Sequence, residues 1–256
     1  MFISDELTQH LYSMVEKFLK NSDKVVIAFS GGVDSSLLAK ICKDLDKQVY
    51  LVTVGFANSH DLVFSKSISN SLSLSMNHIA YEIKDGDILD DIKSIKSKLS
   101  CNILSHIENC IAFYQISKIV KHHELGDSFL TANGFDELFC GYDRYRSYYQ
   151  NGEDSVTTYM EEKLANEDHM MREISNVIAE LKIRSYQPFL SRAFIEYAKT
   201  IPLEYKIKGP DDLLRKHILR EVAMRIGVPK EAAMQPKKAI QYGSLIHKYL
   251  LKNKLS

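Results

Sequence analysis

The sequence predicts an α/β fold, a doubly wound parallel sheet with a helical C-terminal layer. Over residues 1–142, short apolar runs of strand length alternate with longer amphipathic segments, which is the pattern of a parallel sheet covered by helices. A glycine-rich turn follows the first run, at the edge of such a sheet where ligands bind. Over residues 143–256 helical periodicity dominates, so we expect a single domain whose second part is a helical layer on the sheet.

Four short apolar runs predict the strands. The first, Val25–Phe29, is apolar on both faces, as in a parallel strand buried between two helical layers. Three later runs of similar length follow helical segments, at residues 49–54, 78–83 and 128–132.

Helices are predicted where apolar residues recur three or four positions apart. The first follows Asp5, a residue type that suits a helix N-cap. The helices expected before the fourth strand span residues 5–20, 34 to about 45, 58 or 59 to 72, 87–99 and 106–123. Helical periodicity continues after residue 142, with breaks at Pro202, Pro210 and Pro229.

The composition is that of an ordinary globular protein. The chain has 256 residues, of which 45% are hydrophobic, and 33 Lys plus Arg balance 33 Asp plus Glu. This balance gives no broad basic surface, so nucleic acid is not an expected partner. No apolar run approaches the roughly 20 residues of a membrane span, and the N-terminus lacks the features of a signal peptide. We therefore expect a cytoplasmic, soluble protein without a membrane partner.

The four cysteines are Cys42, Cys101, Cys110 and Cys140. They form no CxxC pair, and no histidine cluster has the spacing of a zinc site, so the sequence predicts no structural metal. We expect them to be reduced thiols.

A phosphate-binding loop is predicted in the stretch Lys24–Ala39, which reads KVVIAFSGGVDSSLLA. The strand breaks at Gly31 and Gly32, and a helix follows directly. These glycines let backbone N–H groups approach an anion, and the helix start adds unsatisfied donors. An ordinary glycine turn would explain the two glycines but not the hydroxyl groups that surround them. The hydroxyls belong to Ser30, Ser35 and Ser36.

Asp34 lies in the same loop and predicts a bound cation, because a carboxylate beside phosphate groups is repulsive without one; Mg²⁺ is the natural choice. No GxxxxGKS/T motif occurs, so this is not a Walker loop. The stretch resembles the SGGxDS pyrophosphate loop of the ATP pyrophosphatase, or PP-loop, superfamily. That resemblance implies ATP and Mg²⁺ as cofactors. It also implies a reaction that splits ATP between the α and β phosphates, adenylates a substrate and lets a nucleophile displace AMP.

A second polar stretch, Thr131–Tyr145, reads TANGFDELFCGYDRY and follows the fourth predicted strand. It therefore falls at the same sheet edge as the phosphate loop. An isolated Asp136–Glu137 pair at a helix start is usually a capping and dipole feature. Beside a phosphate site, Asp136 is instead the expected second Mg²⁺ ligand, together with Asp34.

This stretch resembles the GxDELFxGY signature of asparagine synthetases and their relatives, the β-lactam synthetases. Three later stretches are similar to the family's PFLD motif, its KxxLR helix and its late lysine loop: Pro188–Leu190, Lys216–Arg220 and Pro236–Ser244. Four motifs in the family's order cover the chain from Lys24 to Lys248. The resemblance implies the PP-loop fold and an AMP-forming ligase.

The resemblance also implies roles for basic residues. Lys216 would hold the leaving pyrophosphate, and Lys237 would neutralise charge on the phosphoryl groups and the acyl-transfer intermediate. Without the resemblance, Lys216 and Arg220 would be interpreted as like charges four residues apart on the solvated face of a helix, and Lys237 as an exposed charge in a loop.

The resemblance further implies that Arg220 and Gly134 belong to the ATP site. By analogy with the family, backbone groups from Val52 to Gly55 would recognise adenine.

Several positions depart from the family pattern. Asn133 stands where asparagine synthetases carry a glutamate beside the incoming ammonia; an amide can orient a nucleophile but cannot take its proton. Ser191 replaces the aspartate of PFLD, and Cys140 replaces a glycine. Only 23 residues precede the first strand, so we expect no glutaminase domain. Ammonia would then come from solution or from a separate glutaminase subunit, or the nucleophile would be another amine.

The leading hypothesis is an ATP-dependent amide-forming ligase that adenylates a carboxylate, aspartate by default, with Lys237, Asn133 and Lys216 as catalytic residues. A second hypothesis is a PP-loop enzyme that modifies a tRNA base or transfers sulfur, with Cys140 or the tyrosines of Tyr142–Tyr149 as its functional groups. A third is a non-catalytic ATP-binding subunit. A homodimer also remains open.

Overall fold

A five-stranded, entirely parallel sheet forms the centre of the molecule. The structure is a computed structural model that describes residues 2–19 and 22–255. The strand order is β3-β2-β1-β4-β5, and neighbouring strands are parallel. The strands are β1 (Lys24–Ala28), β2 (Gln48–Gly55), β3 (His78–Glu82), β4 (Ser128–Leu130) and β5 (Arg184–Tyr186). The predicted α/β class with a parallel sheet is confirmed.

The strand β5 is absent from the sequence-based prediction, which assigned the sheet to residues 1–142. It reads Arg-Ser-Tyr, and none of its three residues is fully buried. Because it is a short polar strand at the sheet edge, it lacks the apolar run that identifies the other four. The helical part of the chain therefore also contributes a strand to the sheet.

The helices agree with the predicted segments to within a few residues. The predicted helix 5–20 is observed from Ile3 to Leu19, and residue 20 lies outside the described residues. The helices before β4 are α1 (Ile3–Leu19), α2 (Val33–Asp44), α3 (His60–Ser71), α4 (Asp85–Lys98) and α5 (Leu104–His122). Those after β4 are α6 (Phe135–Leu138), α7 (Tyr145–Tyr149), α8 (Glu153–Ile178), α9 (Arg192–Thr200), α10 (His217–Arg225), α11 (Lys230–Ala233), α12 (Ile240–Gly243) and α13 (Ile246–Lys252).

Two apolar cores lie on opposite faces of the sheet. In β1, Val25 and Ile27 belong to one core and Val26 belongs to the other, because successive side chains of a strand point to opposite faces. The first core includes residues of α1, α2 and α10, and the second includes residues of α4, α5 and α8. Segments from before and after residue 142 therefore pack into both cores.

The strand order reverses direction at β1. The chain runs outwards from β1 through β2 to β3 and then returns to place β4 on the other side of β1, with Ile27 paired to Leu130. The loops that follow β1 and β4 consequently meet at one edge of the sheet, the usual position of a ligand site in such folds. No helix in the described part of the chain is long and apolar enough to cross a membrane.

Candidate active site

The phosphate loop between β1 and α2 is built as a strand, a glycine turn and a helix start. Gly31 has φ +82°, and a Cβ there would lie 3.1 Å from the backbone of Ser65, so this position requires glycine. The hydroxyl of Ser36 donates to the carbonyl of Gly31 at 3.0 Å. The N–H of Gly32 donates to the Ser30 hydroxyl at 3.4 Å. These contacts hold the turn open in front of the N-terminus of α2, where backbone donors can bind an anion.

Four charged side chains converge beside this loop. Lys216 Nζ lies 2.6 Å from Asp34 Oδ2 and 2.6 Å from Asp136 Oδ1, and Lys237 pairs with the other oxygen of Asp136. The side chain of Lys216 is only 1% exposed. We call these four residues the charge cluster. It joins the first turns of α2 and α6, which follow β1 and β4, to two segments of the C-terminal region.

The lysines control the ionisation of Asp136. Burial alone would raise the pKa of this carboxyl, but the charges of Lys216 and Lys237 hold its pKa well below the usual range. Burial would likewise lower the pKa of Lys237, but the charges of Asp136 and Asp34 raise it above the ordinary value. Asp136 and Lys237 are therefore both charged at neutral pH.

The two carboxylates fit the ligand set of Mg²⁺. Asp34 Oδ1 is buried and accepts no hydrogen bond from residues 2–19 or 22–255. Asp136 Oδ1 is also buried, and Lys216 Nζ, at 2.6 Å, is the cation in contact with it. A buried carboxylate oxygen without a hydrogen bond is costly unless a cation contacts it, and Mg²⁺ binds through one or two carboxylates plus phosphate oxygens. In this structure the ammonium group of Lys216 is the cation that lies between the two carboxylates.

An open cleft extends from the charge cluster along the carboxyl ends of the strands. One wall is Val52–Val54 of β2, and the opposite wall is Lys163–Met170 of α8. Seven residues that the sequence assigned to the site line this single cleft: Ser30, Asp34, Ser35, Val52, Asn133, Asp136 and Lys237.

A second pair of carboxyl groups, those of Glu137 and Glu167, lines the same cleft beside the charge cluster. Asn133 Nδ2 donates to Glu167 Oε1 at 2.6 Å, and the Tyr142 hydroxyl donates to Glu137. Burial raises the pKa of Glu137 to about 6, helped by the charge of Asp136. Burial and the nearby charge of Glu137 raise the pKa of Glu167 well above its ordinary value. The amide of Asn133 is thus paired with a carboxyl group that the sequence analysis did not find.

No local sequence signal could have identified Glu167. It lies 34 positions after Asn133 in the polar helix α8, where acidic residues are frequent and Glu161, Glu162 and Asp168 are exposed. Only the packing of α8 against α6 brings Glu167 to the cleft.

The family signature also contains Gly141, whose role the sequence analysis did not recognise. A Cβ at Gly141 would collide with the Asp136 carboxylate and with the side chain of Lys216. The absence of a side chain there lets Lys216 reach the two aspartates.

The helix predicted to carry Lys216 and Arg220 on one face is shorter than expected. α10 begins at His217, so Lys216 precedes it, with φ +55° after Arg215 at φ +50°. Two consecutive non-glycine residues in the left-handed region cost roughly 1–3 kcal/mol each. Arg215 is held by hydrogen bonds from its side chain to the carbonyls of Gly141 and Asp212. This backbone turn directs Lys216 into the charge cluster rather than along the helix face.

Arg220 does not reach the cleft, contrary to the expectation of an ATP contact. It is buried, and within the described residues its guanidinium donates to backbone carbonyls. The acceptors are Leu214, Arg215, Ala233 and Gln235. The planar guanidinium therefore joins the Lys216 turn to the segment that leads to Lys237.

Two predicted nucleotide contacts are packing positions. Gly55 packs against Ser244: a Cβ added at Gly55 would lie 3.3 Å from the Ser244 backbone. Gly134 has φ +108°, and a Cβ there would lie 2.9 Å from the carbonyl oxygen of Phe189. Neither residue lines the cleft, whereas Val52 does.

Cys140 and Tyr145 belong to the packed interior, Tyr148 and Tyr149 are half-buried and pack against it, and Tyr142 lines the cleft. Cys140 is fully buried, and burial raises the pKa of its thiol to about 12. Tyr145 is also fully buried, and Tyr148 stacks on Tyr159 with ring centroids 4.2 Å apart. This arrangement provides neither a reactive thiol nor an open aromatic platform at these positions.

Comparison with known proteins gives concordant matches. The Asparagine synthase family model matches residues 6–187 and again 153–255. The Methanocaldococcus jannaschii protein named "Putative asparagine synthetase (glutamine-hydrolyzing) 1" is 30% identical over 93% of this chain and 49% of its own length. The glutamine-hydrolyzing asparagine synthetase of Mesocricetus auratus is 26% identical over 90% of this chain and 41% of its own length. The chain thus spans about half or less of the length of these curated relatives.

Among solved structures, the NH3-dependent NAD synthetase from Campylobacter jejuni matches with a TM-score of 0.41 and 20% identity, over 77% of this chain and 97% of that chain. The U34-tRNA thiolase NcsA from Methanococcus maripaludis matches with a TM-score of 0.46 and 16% identity, over 97% of this chain and 75% of that chain.

Proposed function

Because the chain belongs to the asparagine synthase family, we propose that it is an AMP-forming ligase. It adenylates a small carboxylate, aspartate by default, with release of pyrophosphate. It then transfers the acyl group to ammonia or an amine with release of AMP. The nitrogen donor is ammonia from solution or from a separate glutaminase subunit in the cytoplasm.

The observation that carries this proposal is the charge cluster beside the phosphate loop. Splitting ATP between the α and β phosphates creates a pyrophosphate leaving group with several negative charges. Two lysines and two carboxylates that can hold Mg²⁺ meet where that charge develops. Preorganised charges of this kind usually contribute more to the rate than any other single effect.

In this scheme the phosphate loop binds the triphosphate. The N–H groups at the start of α2 and the hydroxyls of Ser30 and Ser35 face the cleft and donate to phosphate oxygens. Adenine lies along the β2 wall near Val52. The carboxylate substrate then occupies the space between the phosphate loop and α8, with its oxygen directed at the α-phosphate.

Asp34 and Asp136 would hold Mg²⁺, which neutralises phosphate oxygens and orients them. Lys216, which now contacts both carboxylates, would leave at least one of them free for the metal, and its ammonium group would stabilise the leaving pyrophosphate. Lys237 lies closer to the cleft opening and stabilises charge on the α-phosphate and on the tetrahedral acyl intermediate.

The second half-reaction needs a proton acceptor, because an amine that attacks an acyl group must lose a proton. Asn133 cannot accept one. We assign this role to Glu167, which the Asn133 amide orients by the 2.6 Å hydrogen bond. Its raised pKa makes its carboxylate a stronger base than an ordinary glutamate.

The decisive experiment measures AMP and pyrophosphate formed from Mg-ATP with a panel of carboxylates headed by aspartate, each with and without ammonium. Aspartate-dependent AMP that rises with ammonium, with asparagine as product, is the expected result. AMP formation with a different acid would support the proposed mechanism but identify a different carboxylate substrate. The Asp34→Ala variant should lose the reaction, while Asp168→Ala, a change at an exposed residue of α8, should retain it.

ATP binding without AMP formation for every acid would contradict the proposal. It would leave a non-catalytic ATP-binding protein or a tRNA-modifying enzyme as the remaining alternatives. Sulfur transfer through Cys140 is not favoured by the structure, because that thiol is buried.

A further inference from the structure

A cluster of metal-ligand side chains lies between α5, α8 and the loop before α5, outside the charge cluster. Ligand atoms of Cys101, His169 and Glu173 all lie within 4.8 Å of one another. His169 Nε2 is 3.4 Å from Glu173 Oε1. His106 adds a fourth group, with its Nδ1 3.5 Å from the Cys101 sulfur.

The four groups are arranged by the geometry of the two helices. His169 and Glu173 are four residues apart on α8, so they project from the same face. His106 lies in the first turn of α5, which packs against α8, and Cys101 is in the preceding loop. The sequence analysis found no zinc pattern because the two halves of the cluster are more than 60 residues apart along the chain.

His106 is oriented as a metal-binding histidine usually is. Its Nε2 is 3.1 Å from Asn166 Oδ1, an atom that can only accept, so Nε2 carries the proton and the Nδ1 lone pair faces the Cys101 sulfur. The ring is fully buried. A hydrogen bond of this kind to the distal nitrogen fixes the tautomer of ligating histidines.

The Glu173 carboxylate is also supported from outside the cluster. Its two oxygens accept hydrogen bonds from the backbone N–H of Ser100 at 3.2 Å and from the Ser100 hydroxyl. These bonds hold the carboxylate in place while leaving lone pairs directed at His169. Glu173 is 3% exposed, so the site is shielded from water on this side.

The distances between the four side chains fit tetrahedral coordination of one ion. Two imidazoles bound to one zinc ion through bonds of about 2.0–2.1 Å have ring centroids roughly 5 Å apart, and the centroids of His106 and His169 are 5.2 Å apart. Ligand atoms around such an ion are roughly 3.3–3.8 Å from one another. The 3.4 Å and 3.5 Å contacts already have this separation. The other contacts among Cys101, His169 and Glu173, all within 4.8 Å, need side-chain rotations that close about one ångström.

We propose that Cys101, His106, His169 and Glu173 form a binding site for a divalent ion of the zinc class. A mixed set of sulfur, nitrogen and oxygen ligands suits Zn²⁺ and distinguishes this site from an all-oxygen Mg²⁺ site. On binding, the Cys101 thiol releases its proton to solvent. The ion joins α5 to α8, the helix that also carries Glu167.

The experiment is a cobalt titration of the 256-residue chain, without a tag, after treatment with a chelator. Tetrahedral Co²⁺ bound to a thiolate gives a sulfur-to-metal charge-transfer band together with intense visible bands. We expect saturation at one equivalent and displacement of the bands by Zn²⁺. Because no cysteine belongs to the charge cluster, Co²⁺ bound at Asp34 and Asp136 would lack the charge-transfer band.

Two ligand variants and two controls test the assignment. Cys101→Ser should abolish the charge-transfer band, and His169→Gln should weaken Co²⁺ binding by more than about 100-fold, since even supporting residues contribute 10–100-fold. Cys110→Ala, at a buried thiol one turn after His106 on α5, should keep the band. A change at the exposed pair His122 and His123 should leave the titration unaltered.

The His169 variant keeps the test informative if the Cys101 variant does not fold, because the His169 side chain is 41% exposed. Absence of a charge-transfer band in the wild-type protein would overturn the proposal. So would a band that persists in Cys101→Ser or that disappears in Cys110→Ala. Each of these readouts is independent of ligase activity.

Discussion

Lys216 Nζ lies 2.6 Å from Asp34 Oδ2, although the two residues are 182 positions apart in the chain. The contact joins the phosphate loop to the turn that precedes α10, and the same ammonium group also contacts Asp136. The lysine stands between two carboxylates that suit Mg²⁺. In the proposed reaction the same residues would serve the metal and the pyrophosphate.

Replacing Lys216 by methionine removes this positive charge with little change in side-chain length. We expect pyrophosphate release from Mg-ATP and substrate to fall by about 10²–10³-fold, the usual effect of losing one preorganised charge-stabilising group. Lys208→Met, a change at an exposed lysine, is the matched control. A Lys216→Met enzyme within about threefold of wild type would refute the role.

Glu167→Gln keeps an oxygen that can accept the Asn133 hydrogen bond but removes the basic carboxylate. We expect pyrophosphate release to remain within about threefold of wild type, while amide formation falls by about 10²–10⁴-fold, so that the acyl-adenylate accumulates. Rapid-quench measurement of both products separates the two steps. Glu162→Gln, on the exposed face of α8, should behave as wild type.

The pH profile gives an independent check on the same residue. Burial and the charge of Glu137 raise the pKa of Glu167, so its basic form is populated only above the range of an ordinary glutamate. At a constant concentration of free ammonia, the rate of amide formation should therefore rise with pH in the wild-type enzyme, and this rise should be missing in Glu167→Gln. Equal losses in both half-reactions, with an unchanged pH profile, would show a purely structural role.

Gly141→Ala should damage the charge cluster without altering any charged residue. The added Cβ would collide with Asp136 and Lys216, and overpacking of this kind costs about 1–3 kcal/mol of unfolding free energy. We expect at least about 100-fold less AMP formation, because the lysine can no longer reach both aspartates. Gly86→Ala, where a Cβ meets nothing within 4 Å, should have wild-type activity. A fully active Gly141→Ala enzyme would argue against the importance of this geometry.

Acid sensitivity is expected from His78 at the start of β3. Its ring nitrogens lie 2.9 Å from the Thr53 and Ser69 hydroxyls. Burial, together with the charge of Lys66, lowers its pKa from 6.5 to about 4. Between these values the unfolded chain binds a proton that the folded chain does not, so the free energy of unfolding should decrease as the pH falls through this range.

Denaturant unfolding at a series of pH values measures this effect. His78→Gln should have a flatter dependence between pH 6.5 and about 4. His123→Gln, at an exposed histidine, should retain the wild-type slope. If the free energy of unfolding depended on pH equally in wild type and His78→Gln, His78 would not be the cause of the acid sensitivity.

The sequence predicted the parts of the site that depend on local order along the chain. The phosphate loop follows from an apolar strand, two glycines and a helix start within Lys24–Ala39. The pairing of Asp34 with Asp136 follows from one topological rule, since residues after parallel strands meet at one sheet edge. The structure brings both aspartates into contact with Lys216.

Other features differ from the sequence-based expectation or were missed because they depend on packing. Arg220 has the sequence context of a phosphate contact, but the turns around it bury its guanidinium among backbone carbonyls. The strand β5 is too short and polar to be recognised, yet the exposed edge of β4 gives it a partner.

The sequence by itself determined the fold class, the phosphate loop and the family, because each is encoded by residues close together in the chain or by motifs in a fixed order. Only the tertiary structure decided that Glu167 faces Asn133 and that Cys101 and His106 meet His169 and Glu173. Both results come from the contact of α8 with neighbouring elements. The polar residues of a helix can point in several directions, and the packing of its apolar residues decides which of them reach a site. The spacing of residues along α8 therefore cannot predict which distant residues its side chains contact.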